Sequence, residues 1–182
     1  MATIEISCNF VGSFKVGDNL QYNCDVLCEL VEANADSKFS KMIVLQTGAI
    51  LEAALTQIIY RAQNFNMEGV PNIHEEDRQS IEGKKIDKFA VTIDVLRKYG
   101  VLEGVEGEVY EDLHRLRRFR NKIHIQDDVS IVGIGRDENT IFDEGRTNWA
   151  LSLNRRVLCF LSEHLARLEH IHEYVGTLRV PS

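Results

Sequence analysis

The chain has 182 residues, of which 44% are hydrophobic and 27% are charged, and its formal net charge is −7. This length and composition are typical of one soluble globular domain, spanning residues 1–182, that buries a core without metal ions or disulfide bonds. The acidic balance argues against a general nucleic-acid coat but allows a local basic site. The N-terminal sequence MATIEISCNF has neither a basic start nor a long apolar run. We therefore expect a cytoplasmic protein with no signal peptide and no segment near the roughly 20 apolar residues of a membrane span.

The N-terminal third of the chain predicts one strand and two helices. Apolar residues alternate with polar ones from Ile4 to Phe10, which is typical of a half-buried strand. A first helix is predicted from Asp18 to about Asn34. A second, long helix is predicted to begin at one of the capping residues Asp36, Ser37 and Ser40 and to end near Asn66.

The second predicted helix is apolar on most of its circumference and rich in alanine, which is typical of a central helix in a bundle. Glu52 lies in the middle of this apolar run. A carboxylate at such a position requires a cationic partner or an exposed location.

The remaining pattern completes an all-α, up-and-down bundle of about five helices with a minor β element. Residues 67–85 have no clear period and predict a connection. The elements expected after it are a helix over 86–99 ended by Gly100, a basic helix over 108–126, a hairpin over 129–143 that could pair with the N-terminal strand, and a last helix from Thr147 or Asn148 to about Tyr174.

The basic helix has the most unusual composition in the chain. Residues 113–124, LHRLRRFRNKIH, contain five Lys and Arg and no Asp or Glu, so this window is at +5 and the rest of the chain at −12. At about 100° per residue, an apolar stripe forms from Val109, Leu113, Leu116 and Ile123.

Arg117, Arg120 and His124 form a ridge beside this stripe, whereas Arg118 lies on the far side of an ideal helix and, with Arg115, suits a solvated face. Such a ridge typically faces a groove or a partner subunit, because burying it unpaired would be costly. The alternative is a salt-bridge network within the bundle. In that case, Arg117 and Arg120 pair with Glu52, or with Glu111 and Asp112.

Other candidate sites in the sequence have simpler explanations. Cys24 and Cys28 lie one helical turn apart, but no second pair with matching spacing completes a zinc site, so buried thiols are expected. The histidines and glutamates of residues 163–172 do not share one face of a helix, so no metal ion and no other cofactor is predicted. Trp149 opens the last helix and is predicted to anchor it.

Three segments together resemble the HEPN superfamily of small helical domains. They are the alanine-rich helix containing LEAAL (Leu51–Leu55), the segment KKIDKFAVTIDVLRKYGVL, and YEDLHRLRRFRNKIHI with its cluster of arginines, asparagine and histidine. The resemblance spans roughly Phe39 to Ile125. HEPN proteins typically have an arginine followed after four to six residues by a histidine, with a polar residue, often asparagine, directly after the arginine.

The resemblance implies candidate catalytic residues in this chain. His124 matches the motif histidine, and both Arg118 and Arg117 precede it at the required spacing. Arg120 and Asn121 supply the Arg-Asn dipeptide, but only three residues separate Arg120 from His124. The motif spacing is therefore met by Arg117 and Arg118, whereas the Arg-Asn dipeptide is supplied by Arg120.

Two classes of function follow from the resemblance. One is a metal-independent endoribonuclease of toxin or defence type that acts as a homodimer, with the histidine moving protons and an arginine holding phosphate. The other is a non-catalytic HEPN-like module that binds RNA, a nucleotide or a partner protein through the same ridge. A second copy of the chain is the expected partner, and RNA, a nucleotide, an antitoxin or another protein are the alternatives for a further one. No association with a membrane is expected.

Overall fold

A computed structural model of the protein describes residues 2–11, 15–64, 69–82, 85–122, 137–168 and 176–182. The predicted helical bundle with a minor β element is confirmed, with five helices of ten residues or more in these ranges. The elements in chain order are β1 (Thr3–Ser7), α1 (Lys15–Glu32), α2 (Ser40–Asn64), α3 (Glu75–Glu82), α4 (Phe89–Lys98), α5 (Val109–Asn121), α6 (Glu138–Ile141), α7 (Glu144–His164) and β2 (Thr177–Pro181).

Helix α2 is the centre of the bundle, as its apolar circumference predicts. It packs against α1, α3, α4, α5 and α7, and Leu51, Leu55 and Ile58 are fully buried. By length and composition alone, α2 could cross a bilayer, contrary to the expectation that no segment approaches a membrane span. However, 61% of its most apolar window is buried inside the protein. This burial is the pattern of a core helix.

The two strands form an antiparallel sheet in which Ile4 faces Val180 and Ile6 faces Leu178. The predicted alternation is confirmed over β1, where Ile6 is buried and Ile4 is half-buried between exposed neighbours, but the strand ends at Ser7 and does not reach Phe10. Within the described residues, β1 does not pair with a hairpin over 129–143, which was the expected partner. The partner is β2 near the C-terminus, whose alternating Leu178 and Val180 fill the apolar face of the sheet.

The second half of the predicted hairpin is also wrong. Residues 129–136 lie outside the described residues, but Thr140 and Ile141 belong to the short helix α6. Ile141 and Phe142 are both buried, and the carbonyl of Asp137 accepts from the backbone N–H groups of Thr140 and Ile141. Two consecutive buried side chains suit one turn of helix and not the alternating faces of a strand.

The predicted bounds of α1, α4 and α5 differ by a few residues from those observed, and two differences from the sequence prediction are larger. The connection over 67–85 contains helix α3, which the sequence did not predict because only Ile81 of its eight residues is buried. Helix α7 ends at His164 and not near Tyr174. Beyond it, Arg167 donates from its backbone N–H to the carbonyl of Asn9 and from its guanidinium to the carbonyl of Val11, so the chain turns toward the segment after β1.

Capping residues explain where several helices begin and end. Gly100 has a φ of 61° and ends α4 as predicted. Its N–H donates to the carbonyl of Arg97, and the N–H of Val101 donates to the carbonyl of Leu96. Helix α7 is capped by Asp143, whose carboxylate accepts from the N–H of Arg146, and not by Thr147 or Asn148. Before α2, the side-chain oxygen of Asn34 accepts from the N–H of Phe39.

Candidate nucleic-acid interface

Helix α5 is held in place by three other helices that pack against it. Val109, Leu113 and Leu116 are buried as the sequence predicts, and Ile123 lies outside the described residues. Phe119 is also fully buried, although it lies off the predicted stripe, because α7 packs along that side of α5. Helix α2 packs along the stripe itself, and α4 packs against a third side.

Arg120 is neutralised where α5 crosses α2. Its guanidinium forms an ion pair with the carboxylate of Glu52, so of the two alternatives for Glu52, a cationic partner or an exposed location, the structure has the cationic partner. Gly48, one turn earlier on α2, makes the close approach possible. A Cβ atom at position 48 would lie 3.1 Å from Cβ of Arg120. For Arg120, the structure therefore confirms the alternative in which the arginines of α5 form salt bridges within the bundle.

The same alternative does not apply to Arg117. Glu111 pairs with Arg97 at 2.8 Å, and Asp112 pairs with Arg156 at 3.0 Å. In the ranges that the structure describes, the Nε atoms of Arg117 and Arg118 are buried without a hydrogen-bond partner. Within the described ranges, these two Nε donors are therefore unpaired, and neither Arg117 nor Arg118 forms an ion pair with a carboxylate.

The remaining predicted site residues lie at the end of α5. Asn121 is the last residue of the helix and is exposed. His124 lies outside the described residues. The structure therefore brings Arg117, Arg118, Arg120 and Asn121 together within two turns, and only Arg120 among these described residues is engaged by an ion pair.

Helices α5 and α7 meet at a group of residues that the sequence analysis did not recognise as a site. We call Arg115, Phe119, Arg146 and Trp149 the aromatic–arginine cluster. The Cζ atom of Arg115 lies 4.9 Å from the ring centroid of Trp149, and the Cζ atom of Arg146 lies 4.5 Å from that of Phe119. The two rings contact edge to face, with centroids 6.0 Å apart. The sequence signal, Arg115 and Phe119 one turn apart, becomes meaningful only once α7 is placed.

Trp149 acts as an anchor, as predicted, and also as a stacking surface. Its indole N–H donates to Asp112 at 3.1 Å, which fixes the ring between α5 and α7. Burial lowers the pKa of Arg146, and the nearby charge of Arg115 lowers it further, whereas Asp143 raises it. Burial and the charge of Arg115 thus both disfavour the charged form of Arg146.

The prediction of buried thiols is confirmed for Cys8, Cys24 and Cys28. Burial raises the pKa of Cys8 and of Cys24 to about 12, so both stay protonated and unreactive near neutral pH. Cys28 is buried and Cys159 is partly buried. Over the part of the chain that the structure describes, no group of three potential metal ligands occurs.

The arrangement is chemically suited to an anion. Guanidinium groups bind phosphate through two parallel N–H donors, and those of Arg115, Arg117, Arg118 and Arg146 form no ion pair within the described ranges. An acidic protein that leaves these cations unneutralised on one helix and its neighbour favours an anionic ligand over a purely internal network.

The chain was compared with protein-family models, with curated proteins and with solved structures, and none of the three comparisons found a match.

Proposed function

We propose that this protein is a HEPN-like, metal-independent endoribonuclease that acts as a homodimer. The supporting observation is the division of the arginines on α5. Arg120 is neutralised by Glu52, whereas Arg117 and Arg118 have buried Nε atoms without partners among the described residues. Arg117 is the residue that both the helical geometry and the motif spacing select for binding the phosphate.

The proposed chemistry uses the 2′-hydroxyl of the RNA as the nucleophile. His124 moves the proton, Asn121 orients the histidine, and Arg117 stabilises the charge that develops on the phosphate, with Arg118 beside it. The bond to the 5′-oxygen of the next nucleotide breaks, and the product is a 2′,3′-cyclic phosphate or its hydrolysed form. In a homodimer, two such histidines could act as acid and base.

The second candidate function is a non-catalytic HEPN-like module that binds RNA, a nucleotide or a protein such as an antitoxin. The observation that favours it is the Arg120–Glu52 ion pair. Arg120 is the arginine of the Arg-Asn dipeptide, and its engagement with α2 makes it less accessible to a substrate.

The test is RNA cleavage by the purified full-length protein in the presence of EDTA. We expect cleavage to persist and to yield cyclic phosphate ends. His124→Ala should lower the rate by about 2–4 powers of ten, the usual contribution of a general acid or base. Arg117→Gln should lower it by about 2 powers of ten, as removal of one charge-stabilising donor does.

Lys41→Gln is the control, because Lys41 is already neutralised by Glu138 at 2.7 Å and should not affect cleavage. Intact RNA after prolonged incubation with the protein, combined with measurable RNA binding, would favour the module. A His124→Ala variant as active as the parent would contradict the catalytic assignment. Sedimentation of a strict monomer at micromolar concentration would contradict the homodimer.

A further inference from the structure

The aromatic–arginine cluster combines two fixed cations with no bound counter-charge among the described residues. Phe119 is fully buried and Trp149 is held by Asp112, so the rings on which Arg115 and Arg146 stack are themselves held in place. Stacking on an aromatic face orients a guanidinium and leaves its N–H donors free for a second partner. The cluster therefore presents preformed donors.

The carboxylates around the cluster are engaged elsewhere. Asp112 is used by Trp149 and Arg156, and Asp143 accepts from the backbone N–H of Arg146. Neither the Arg115 nor the Arg146 guanidinium has a hydrogen bond or an ion pair to a carboxylate of the described chain. The cations are oriented by the rings, and Asp143, whose charge raises the pKa of Arg146, forms no ion pair with its guanidinium within the described chain.

A third cation beside the cluster shows the contrast. Lys41 lies 6.0 Å from the ring centroid of Phe142, which in turn contacts Phe119 edge to face. Its ammonium group, however, donates to both carboxylate oxygens of Glu138, at 2.7 and 2.8 Å. Lys41 is thus paired with a carboxylate, whereas Arg115 and Arg146 form no ion pair within the described chain.

We propose that Arg115 and Arg146 bind the backbone of single-stranded RNA at a phosphate other than the one that is cleaved. This inference rests on the proposed function. Arg115 is exposed and precedes Arg117 by two residues, so it lies about 160° around the axis of α5 from Arg117. A strand bound at Arg117 therefore has to pass around α5 to the α5–α7 edge, where the guanidinium groups of Arg115 and Arg146 donate to a second phosphate.

The test measures binding of a short fluorescent 2′-O-methyl RNA, which lacks the nucleophile and cannot be cleaved. We expect the double variant Arg115→Gln/Arg146→Gln to raise Kd about tenfold, as removal of charge-assisted hydrogen bonds does. The slope of log Kd against log salt should fall by about 0.7 for each phosphate that the variant no longer binds. Lys41→Gln, the matched cation that already has a partner, should leave Kd and slope unchanged.

A second readout reports on the cluster directly. Trp149 is the only tryptophan in the chain, so its fluorescence should change when RNA binds. This change should be absent in Arg115→Gln, which alters an exposed residue and should fold even if the Arg146 variant does not.

The outcomes distinguish this inference from the proposed function. RNA binding that is unchanged in both Arg115→Gln and the double variant overturns the inference and leaves the proposed cleavage intact. Binding that weakens as expected, in a protein that cuts no RNA, supports the inference and overturns the cleavage. A parent protein that does not bind RNA overturns both.

Discussion

Helix α5 uses arginine differently where it packs on α2 and where it packs on α7. Against α2, the stem of Arg120 packs closely on Gly48 and its charge is neutralised by Glu52. Against α7, Arg115 and Arg146 stack on aromatic rings and form no ion pair within the described residues. The neighbouring helix, and not the residue type, therefore sets whether an arginine of this part of the bundle is paired with a carboxylate or packed on a ring.

The largest expected effect comes from disrupting the helix against which α5 packs. Leu55 of α2 is fully buried, so Leu55→Asp places a charge in the core without a partner and should cost about 4 kcal/mol or more. The packing of α5 on α2 and on α7 should fail together, and the protein should be insoluble or unfolded by circular dichroism. Met42→Asp, at a residue of the same helix that is 51% exposed, is the control and should remain folded.

A smaller change separates α2 from α5 alone. Gly48→Val adds atoms where a Cβ would already lie 3.1 Å from Cβ of Arg120, so we expect the free energy of unfolding to fall by about 2 kcal/mol. Urea denaturation measures this loss. Ala53→Val is the matched control, because Ala53 lines a cavity of about 300 Å³ that has room for the added methyl groups. Equal losses of stability in the two variants would contradict the close approach at Gly48.

The two kinds of arginine should also differ in their contribution to stability. Glu52→Gln leaves the guanidinium of Arg120 without its counter-charge and should cost about 1 kcal/mol, since the pair is partly exposed to solvent. Arg115→Gln should cost less than about 0.5 kcal/mol, because Arg115 is exposed and has no ion pair within the described chain. The reverse order in thermal unfolding would mean that the aromatic–arginine cluster is mainly structural.

The smallest expected effect is a gain in RNA binding. Glu52→Gln releases one cation beside Arg117, so Kd for the 2′-O-methyl RNA should fall about threefold and the salt slope should increase by up to about 0.7. Fluorescence anisotropy at two salt concentrations is sufficient to measure it. Weaker binding in this variant would indicate that the Glu52–Arg120 pair positions the end of α5 for the ligand.

Much of the fold could be predicted from local sequence. The period of apolar residues defined the helical class and the central position of α2, and Gly100 was recognised as the end of α4 because a left-handed residue after a helix favours glycine. Glu52 was predicted to have either a cationic partner or an exposed location, because a buried carboxylate in an apolar helix is costly without a partner, and the structure gives it Arg120. Each of these inferences depends on residues within a few turns of one another.

Which distant residues meet could be learned only from the packing of the elements. The sequence left Glu52 open to either Arg117 or Arg120, and the structure pairs it with Arg120, whose side-chain stem packs closely on Gly48. The partner of β1 comes from residues 177–181 because Leu178 and Val180 fill its apolar face. The sequence placed Arg115 on a solvated face, and only the packing of α7 against α5 shows that its guanidinium stacks on Trp149. Helical periodicity depends on neighbours in the chain, whereas these pairings depend on how the helices pack, and no local pattern of residues encodes that packing.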